Sequence, residues 1–129
     1  MLQKKPEKKN HLDIIIVGIG KVGSTLVEQL SKEGNDITII DKNSTAVQAL
    51  SGLYDVMGVV GNGASYSVQM EAGIEKCDLF IAVTESDELN LLCCTVAKRV
   101  SNCSAIARVR TPDYSKEVGY LREKLGLTM

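Results

Sequence analysis

Ile14–Gly23 reads IIIVGIGKVG. Four apolar residues, Ile14 to Val17, run straight into Gly18, Gly20 and Gly23. An amphipathic run follows, with Val22, Leu26 and Leu30 four residues apart. This pattern predicts a strand, a tight turn and a helix. Gly18 suits the turn. Gly20 has no Cβ to keep a pyrophosphate off the backbone, and Gly23 lets the helix lie close to the strand. Free N–H groups at the helix start, aided by the helix dipole, would receive the anion.

A glycine turn alone also occurs in other α/β proteins, so its surroundings decide the reading. A second apolar run, Ile37 to Ile40, ends at Asp41, 23 residues after Gly18. That is close to the spacing expected of a carboxylate that accepts hydrogen bonds from ribose hydroxyls. Such a carboxylate repels a 2′-phosphate and disfavours NADP. It does not separate NAD or NADH from ATP or ADP, which all carry a free adenosine ribose.

The 129 residues suffice for a domain with a real core, but not for a nucleotide domain plus a separate catalytic one. The mean hydropathy of +0.02 is that of an ordinary globular protein. A formal net charge of -1 gives no global basic field, so no nucleic-acid partner is expected. No stretch reaches the roughly 18 apolar residues of a membrane span, and the first residues have no apolar core of a signal peptide. Residues 1–12 read as a flexible basic tail, with Lys4, Lys5, Lys8 and Lys9. Residues 13–129 read as the nucleotide-binding unit. Cys77, Cys93, Cys94 and Cys103 lack paired metal-ligand spacing and read as buried free thiols. No metal site is expected.

Beyond Asp41, Asn43 or Ser44 would cap a helix carrying Ala46, Val47 and Leu50, with Gly52 ending it. Tyr54–Val60 is the third strand candidate, and Ser67–Ala72 a short helix closed by Gly73. Cys77–Thr84, CDLFIAVT, is apolar enough for a central parallel strand. Ser86 or Asp87 would start a helix with Leu89, Leu92, Val96 and Val100 on its apolar stripe. Ala105–Val109 is the fifth strand. Pro112 breaks the run, and Ser115–Leu125 is a helix ended by Gly126. Leu127–Met129 resembles the beginning of a sixth strand. The alternation predicts a Rossmann-like doubly wound parallel sheet of order 3-2-1-4-5. The ending of the chain suggests one module of something longer.

Several loops at the expected carboxyl edge carry polar groups. Gly61-Asn62-Gly63-Ala64 either borders the adenine, with Asn62 bonding base or ribose, or is a simple turn. Lys42 faces a phosphate or solvent. Thr84 is placed to touch the link between the halves of a dinucleotide. Glu85, Asp87 and Glu88 make an acidic rim, or else complement a helix dipole. Arg108 and Arg110 alternate on the fifth strand. Arg110, nearer the edge, is expected to face ligand or a neighbouring subunit, and Arg108 to pair with a helix acid; both also fit surface ion pairs.

The residues of a chemical step are hard to find. Tyr66 and Tyr114 have no supporting triad or YxxxK arrangement, and there is no G-x-x-x-x-G-K-[ST] loop or histidine–carboxylate pair. Binding rather than turnover is expected, and no catalytic residue is assigned.

Five stretches in order carry a family resemblance: VGIGKVG at Val17–Gly23, NDITIID at Asn35–Asp41, VVGNGAS at Val59–Ser65, DLFIAVTESDELNLLCC at Asp78–Cys94, and ARVRTPDY at Ala107–Tyr114. The pattern resembles the N-lobe of the regulators of potassium conductance, most of all the Trk-type potassium-uptake regulatory proteins. The resemblance implies that Gly18, Gly20 and Gly23 hold a diphosphate, with Ile19, Lys21 and Val22 lending backbone around it. It implies Asp41 on the ribose with Lys42 beside it, and Asn62, Gly63 and Ala64 along the adenine. Thr84 and Glu85 would lie by the nicotinamide half or the distal phosphates, Asn90 near the mouth, and Arg110 by the ligand or a partner subunit. NAD or NADH is the foremost ligand, with ATP or ADP the other choice. The family pattern further implies a cytoplasmic homodimer, assembled into a ring at the inner face of the membrane, that gates a potassium channel or transporter. The other function weighed is the cofactor-binding domain of an NAD-dependent oxidoreductase. The family usually begins almost at the first strand and adds a C-lobe. The tail and the single lobe here depart from that pattern.

Overall fold

The computed structural model describes residues 11–126. The basic segment 1–10 and the sixth-strand candidate Leu127–Met129 lie outside the described residues. Five parallel strands form one sheet of order β3-β2-β1-β4-β5: β1 (Asp13–Val17), β2 (Asp36–Asp41), β3 (Met57–Val60), β4 (Leu79–Ala82) and β5 (Ser104–Ala107). The helices are α1 (Lys21–Lys32), α2 (Ser44–Tyr54), α3 (Tyr66–Glu71), α4 (Asp87–Val100), α5 (Pro112–Ser115) and α6 (Val118–Leu125). This is the doubly wound order that the alternating pattern predicts.

The two faces of the sheet bury separate apolar clusters. Ile14, Ile16, Ile37, Ile39 and Ile81 pack with Val27 of α1 and Val47 of α2. Ile15, Val17, Ile40, Phe80 and Ala82 pack with Cys93, Cys94 and Ala97 of α4. Alternate residues of one strand therefore serve opposite layers, which is why β1 is apolar without interruption. Val17 pairs with both Ile40 and Ala82, and Ala82 with Ala107. That register brings the residues leaving β1, β2, β4 and β5 to a common edge, where ligands of such sheets bind.

Several bounds differ from the sequence reading. Gly52 does not end α2, which runs to Tyr54 and closes at Asp55 in the left-handed region (φ 55). A glycine inside a helix costs only about 1 kcal/mol. Tyr54 offsets that by packing on the α1 face and donating its hydroxyl to Glu28 at 3.1 Å. The third strand is thereby reduced to Met57–Val60. Strands β4 and β5 stop at Ala82 and Ala107, short of Thr84 and Val109, because the chain turns there to enter loops. Pro112 opens a helix rather than only breaking one, since the first helical position needs no N–H. The expected Ser115–Leu125 helix is accordingly two pieces. Leu92 lies on the outer side of α4, 53% exposed; Leu89 and Val100 pack against the core as expected, beside the buried Asn90, Cys93, Cys94 and Ala97.

Candidate functional site

The loop after β1 is shaped by contacts that only glycine permits. Gly18 has φ +93, and a Cβ there would stand 2.8 Å from the Thr84 backbone nitrogen. Its N–H donates to the Ile40 carbonyl at 2.9 Å, tying the turn to β2. A Cβ on Gly23 would strike the Gly18 carbonyl oxygen, so α1 sits directly against the turn. Gly20 is different. A Cβ there meets nothing within 4 Å. It is the N-cap of α1, whose first turn has no side-chain cap and no acidic residue. By contrast α2 is capped by Asn43, and α4 by Ser86 with Asp87 and Glu88 in its first turn. The α1 N-terminus thus presents unsatisfied donors and a positive dipole end beside open space, which suits an anion.

Asp41 closes the loop from the β2 side. Its Oδ2 accepts the Ile19 N–H at 3.0 Å and its Oδ1 the Asn43 N–H at 2.9 Å. An ionised carboxylate has about four acceptor positions, so each oxygen keeps capacity for a ribose hydroxyl while the backbone holds it in place.

These groups line a cleft of about 570 Å³ at the carboxyl edge of the sheet, within the range of small-molecule sites. Of the residues expected from sequence, Gly18, Gly20, Lys21, Val22, Asp41, Lys42, Gly63, Thr84 and Glu85 line it together. Ile19 and Gly23 act from behind, through the bond to Asp41 and the close helix approach. Asn62 and Ala64 are not on the wall: the Asn62 side-chain oxygen accepts the Ala64 N–H at 2.9 Å and shapes the turn. A Cβ on Gly63 would run into the Val17 side chain, so that segment lies flat on β1.

Asn90 is fully buried rather than at the mouth. Its Oδ1 accepts from the Thr84 N–H at 2.8 Å and the Thr84 hydroxyl at 2.6 Å. Its Nδ2 donates to the carbonyls of Thr84 and Arg108 at 3.1 and 2.9 Å. One amide thus fastens the β4 exit to the β5 exit. Asp87 makes a second fastening. It accepts the backbone N–H groups of Arg110 at 3.1 Å and Thr111 at 2.6 Å. The Thr111 hydroxyl, then these N–H groups and the Arg110 charge, hold its carboxyl below the usual aspartate value.

Of the two arginines, it is Arg108 rather than Arg110 that reaches the cleft. Arg110 stands outside it, in a separate depression with Asp87, Glu88 and Pro112, where its guanidinium donates to the Glu85 carbonyl at 3.1 Å. Because β5 ends at Ala107, the chain turns between them and they no longer share a strand face. Leu89, read from the sequence only as part of the apolar stripe of α4, also stands on the cleft wall, as does Gly61. The sequence reading passes over Gln69, which is buried and donates from Nε2 to the carbonyls of Gly63 at 2.8 Å and Cys93 at 3.1 Å. A glutamine within an apolar helix face was the available signal. Among the described residues, no group of three or more His, Cys, Asp or Glu side chains is placed to hold a metal ion.

The family profile of the TrkA-N domain matches residues 14–127. This chain belongs to the TrkA-N domain family. Among TrkA-N relatives, the Trk system potassium uptake protein TrkA of Vibrio alginolyticus is 42% identical over 107 residues, 82% of this chain and 23% of the relative. The chain therefore spans about a quarter of that protein's length. The TrkA-N domain of the inner membrane protein ybaL from Escherichia coli superposes with a TM-score of 0.78 at 26% identity, covering 95% of this chain and 86% of the other. The GsuK channel bound to NAD shares the fold, with a TM-score of 0.74 at 20% identity over 95% of this chain and 21% of the channel. Like these, the TrkA-N chain described here is a parallel Rossmann-like sheet. No helix among its described residues is long and apolar enough to cross a membrane.

Proposed function

We propose that this TrkA-N domain is the nucleotide-sensing part of a cytoplasmic regulator of a membrane potassium transporter or channel, and that it binds NAD or NADH, with ATP and ADP as the alternative. The observation that carries this reading is the uncapped, acid-free N-terminus of α1 opening into the cleft beside the Asp41 carboxylate. In this reading the α1 donors receive the diphosphate, Gly20 admits it, and Asp41 accepts the adenosine ribose hydroxyls. Lys42 and Arg108 offset phosphate charge, Gly63 borders the adenine, and Thr84 with Glu85 meets the distal half. Asp41 works against a 2′-phosphate by like charge, so NADP binds more weakly. The kinship with Trk potassium uptake proteins and the fold shared with an NAD-bound channel support the reading.

Such a ligand regulates only by binding two packings of the protein unequally. The reading includes assembly of copies into a homodimer or ring under the membrane partner. The exposed Leu92 of α4 and Tyr120 of α6 are apolar surface suited to such contacts.

Calorimetric titration of protein purified without added nucleotide tests it. Saturable binding of NAD, NADH, ATP or ADP, tighter than NADP, without NADH production from trial alcohols and hydroxy acids, is expected. A blank with every adenine nucleotide overturns the binding site. Substrate-dependent NADH production overturns regulation in favour of an oxidoreductase.

A further inference from the structure

The part of the cleft wall that follows β3 is held from behind by α3. Gly61 and Gly63 both line the cleft, and consecutive residues of α3 back them. A Cβ on Gly61 would stand 2.9 Å from the Val68 side chain, so Val68 packs directly on that glycine. Gln69, the next residue, donates from Nε2 to the Gly63 carbonyl at 2.8 Å. The same nitrogen donates to the Cys93 carbonyl of α4 at 3.1 Å. Cys93 stands about one helical turn beyond Leu89, which is itself on the cleft wall. One side chain thus joins two parts of the wall, the loop after β3 and α4.

Stability alone does not account for an amide at this position. Gln69 is fully buried, and its Oε1 accepts no hydrogen bond from the described residues. An unmet buried acceptor weakens a fold, and a methionine has nearly the same length without one. The Cys93 carbonyl lies inside a helix, where the backbone ladder already supplies a donor. What the amide adds is its hold on Gly63. It turns the Gly63 carbonyl toward the core, while the Cα of that residue lies flat on the Val17 side chain.

We propose that Gln69 is a positioning residue for the base of the bound nucleotide: by holding the Gly63 peptide in place, it sets the wall against which the adenine lies. This rests on the nucleotide reading above. Gln69 does not line the cleft and acts through Gly63. The phosphate end, at the N-terminus of α1, has its own supports in the close approach of Gly18 to Thr84 and of Gly23 to Gly18. Loss of the amide therefore weakens ligands that carry the base and spares ligands made only of phosphate.

Thermal-shift titrations of wild type and Gln69→Met with ADP and with inorganic pyrophosphate separate the two ends. Gln69→Met should bind ADP roughly tenfold more weakly than wild type, and pyrophosphate within about twofold. In the unliganded proteins, hydrogen exchange over residues 61–65 should be at least about threefold faster in the variant. Equal ADP affinity in the two proteins overturns the proposal. So does an equal loss for ADP and pyrophosphate, the mark of a general softening of the fold, and so does unchanged exchange over residues 61–65. A wild type that takes up neither ligand overturns the nucleotide reading itself, and this inference with it, before any variant is compared. If Gln69→Met does not fold, Gln69→Glu takes its place: a neutral carboxyl keeps one donor and an ionised one keeps none. Its ADP deficit relative to wild type should grow from about pH 5 to about pH 8, and a deficit that stays flat overturns the proposal.

Discussion

The Asp41 carboxylate accepts the backbone N–H of Ile19 at 3.0 Å, so the acid at the tip of β2 is clamped to the glycine turn after β1. The residue proposed to hold the sugar and the loop proposed to hold the phosphates are set against each other before any ligand arrives. Preorganisation of this kind lowers the entropy that binding must overcome.

Asp41→Ala should therefore weaken NAD binding by roughly 10- to 100-fold, the loss expected for hydrogen bonds to a charged acceptor. The preference for NAD over NADP should shrink at the same time, because the like charge opposing a 2′-phosphate is gone. Titration calorimetry with both dinucleotides checks this. An unchanged ratio between them removes Asp41 from the ribose position.

The glycines separate structure from binding. Gly23→Ala drives a methyl group into the Gly18 carbonyl and should lower the melting temperature by about 5–15 °C. Gly20→Ala meets open space and should melt within about 2 °C of wild type. It should still bind adenine nucleotides at least about tenfold more weakly, since its methyl group enters the cleft. Differential scanning fluorimetry with and without nucleotide reads both effects.

Arg108→Ala should weaken nucleotide binding by roughly tenfold, an effect that fades at high salt. Arg110→Ala should stay within about threefold of wild type, because its guanidinium is spent on the Glu85 carbonyl outside the cleft. Equal losses in both variants contradict the assigned geometry.

Asn90→Leu strands the Thr84 N–H and the Arg108 carbonyl in a buried place. The expected cost is about 2–4 kcal/mol in urea unfolding, more than for substitution of an exposed asparagine.

Asp87 gives the fold an acid limit. Its folded-state pKa is depressed, so its stabilisation is fully present above the unfolded aspartate value and is lost as pH falls through the folded one. Asp87→Asn should unfold more easily than wild type at neutral pH, and the gap should close as the solution is acidified below the ordinary carboxylate range. Denaturant titrations at a series of pH values test the sign.

The sheet order was legible because each apolar run and each glycine acts locally, and the order 3-2-1-4-5 follows from how parallel strands cross over. The glycine turn and Asp41 were legible for the same reason. Arg108 and Arg110 were not, because their directions depend on β5 stopping at Ala107, and no residue near Ala107 announces that stop. The family resemblance put Asn90 near the mouth of the site, and nothing local in the sequence reveals that two exit loops converge on it. Leu92 and Gly52 failed through competition. Apolarity placed Leu92 inside although the small Cys93, Cys94 and Ala97 fill that layer, and Tyr54 packing outweighed the helix-ending tendency of Gly52.

The first turn of α4 holds two things at once. Asp87 grips the backbone entering α5, and Glu88 takes the Tyr114 hydroxyl at 2.8 Å, while the neighbouring Glu85 forms part of the cleft rim. One helical turn thus ties the rim of the crevice to the chain that runs from β5 into the terminal helices, so the two share the same few hydrogen bonds.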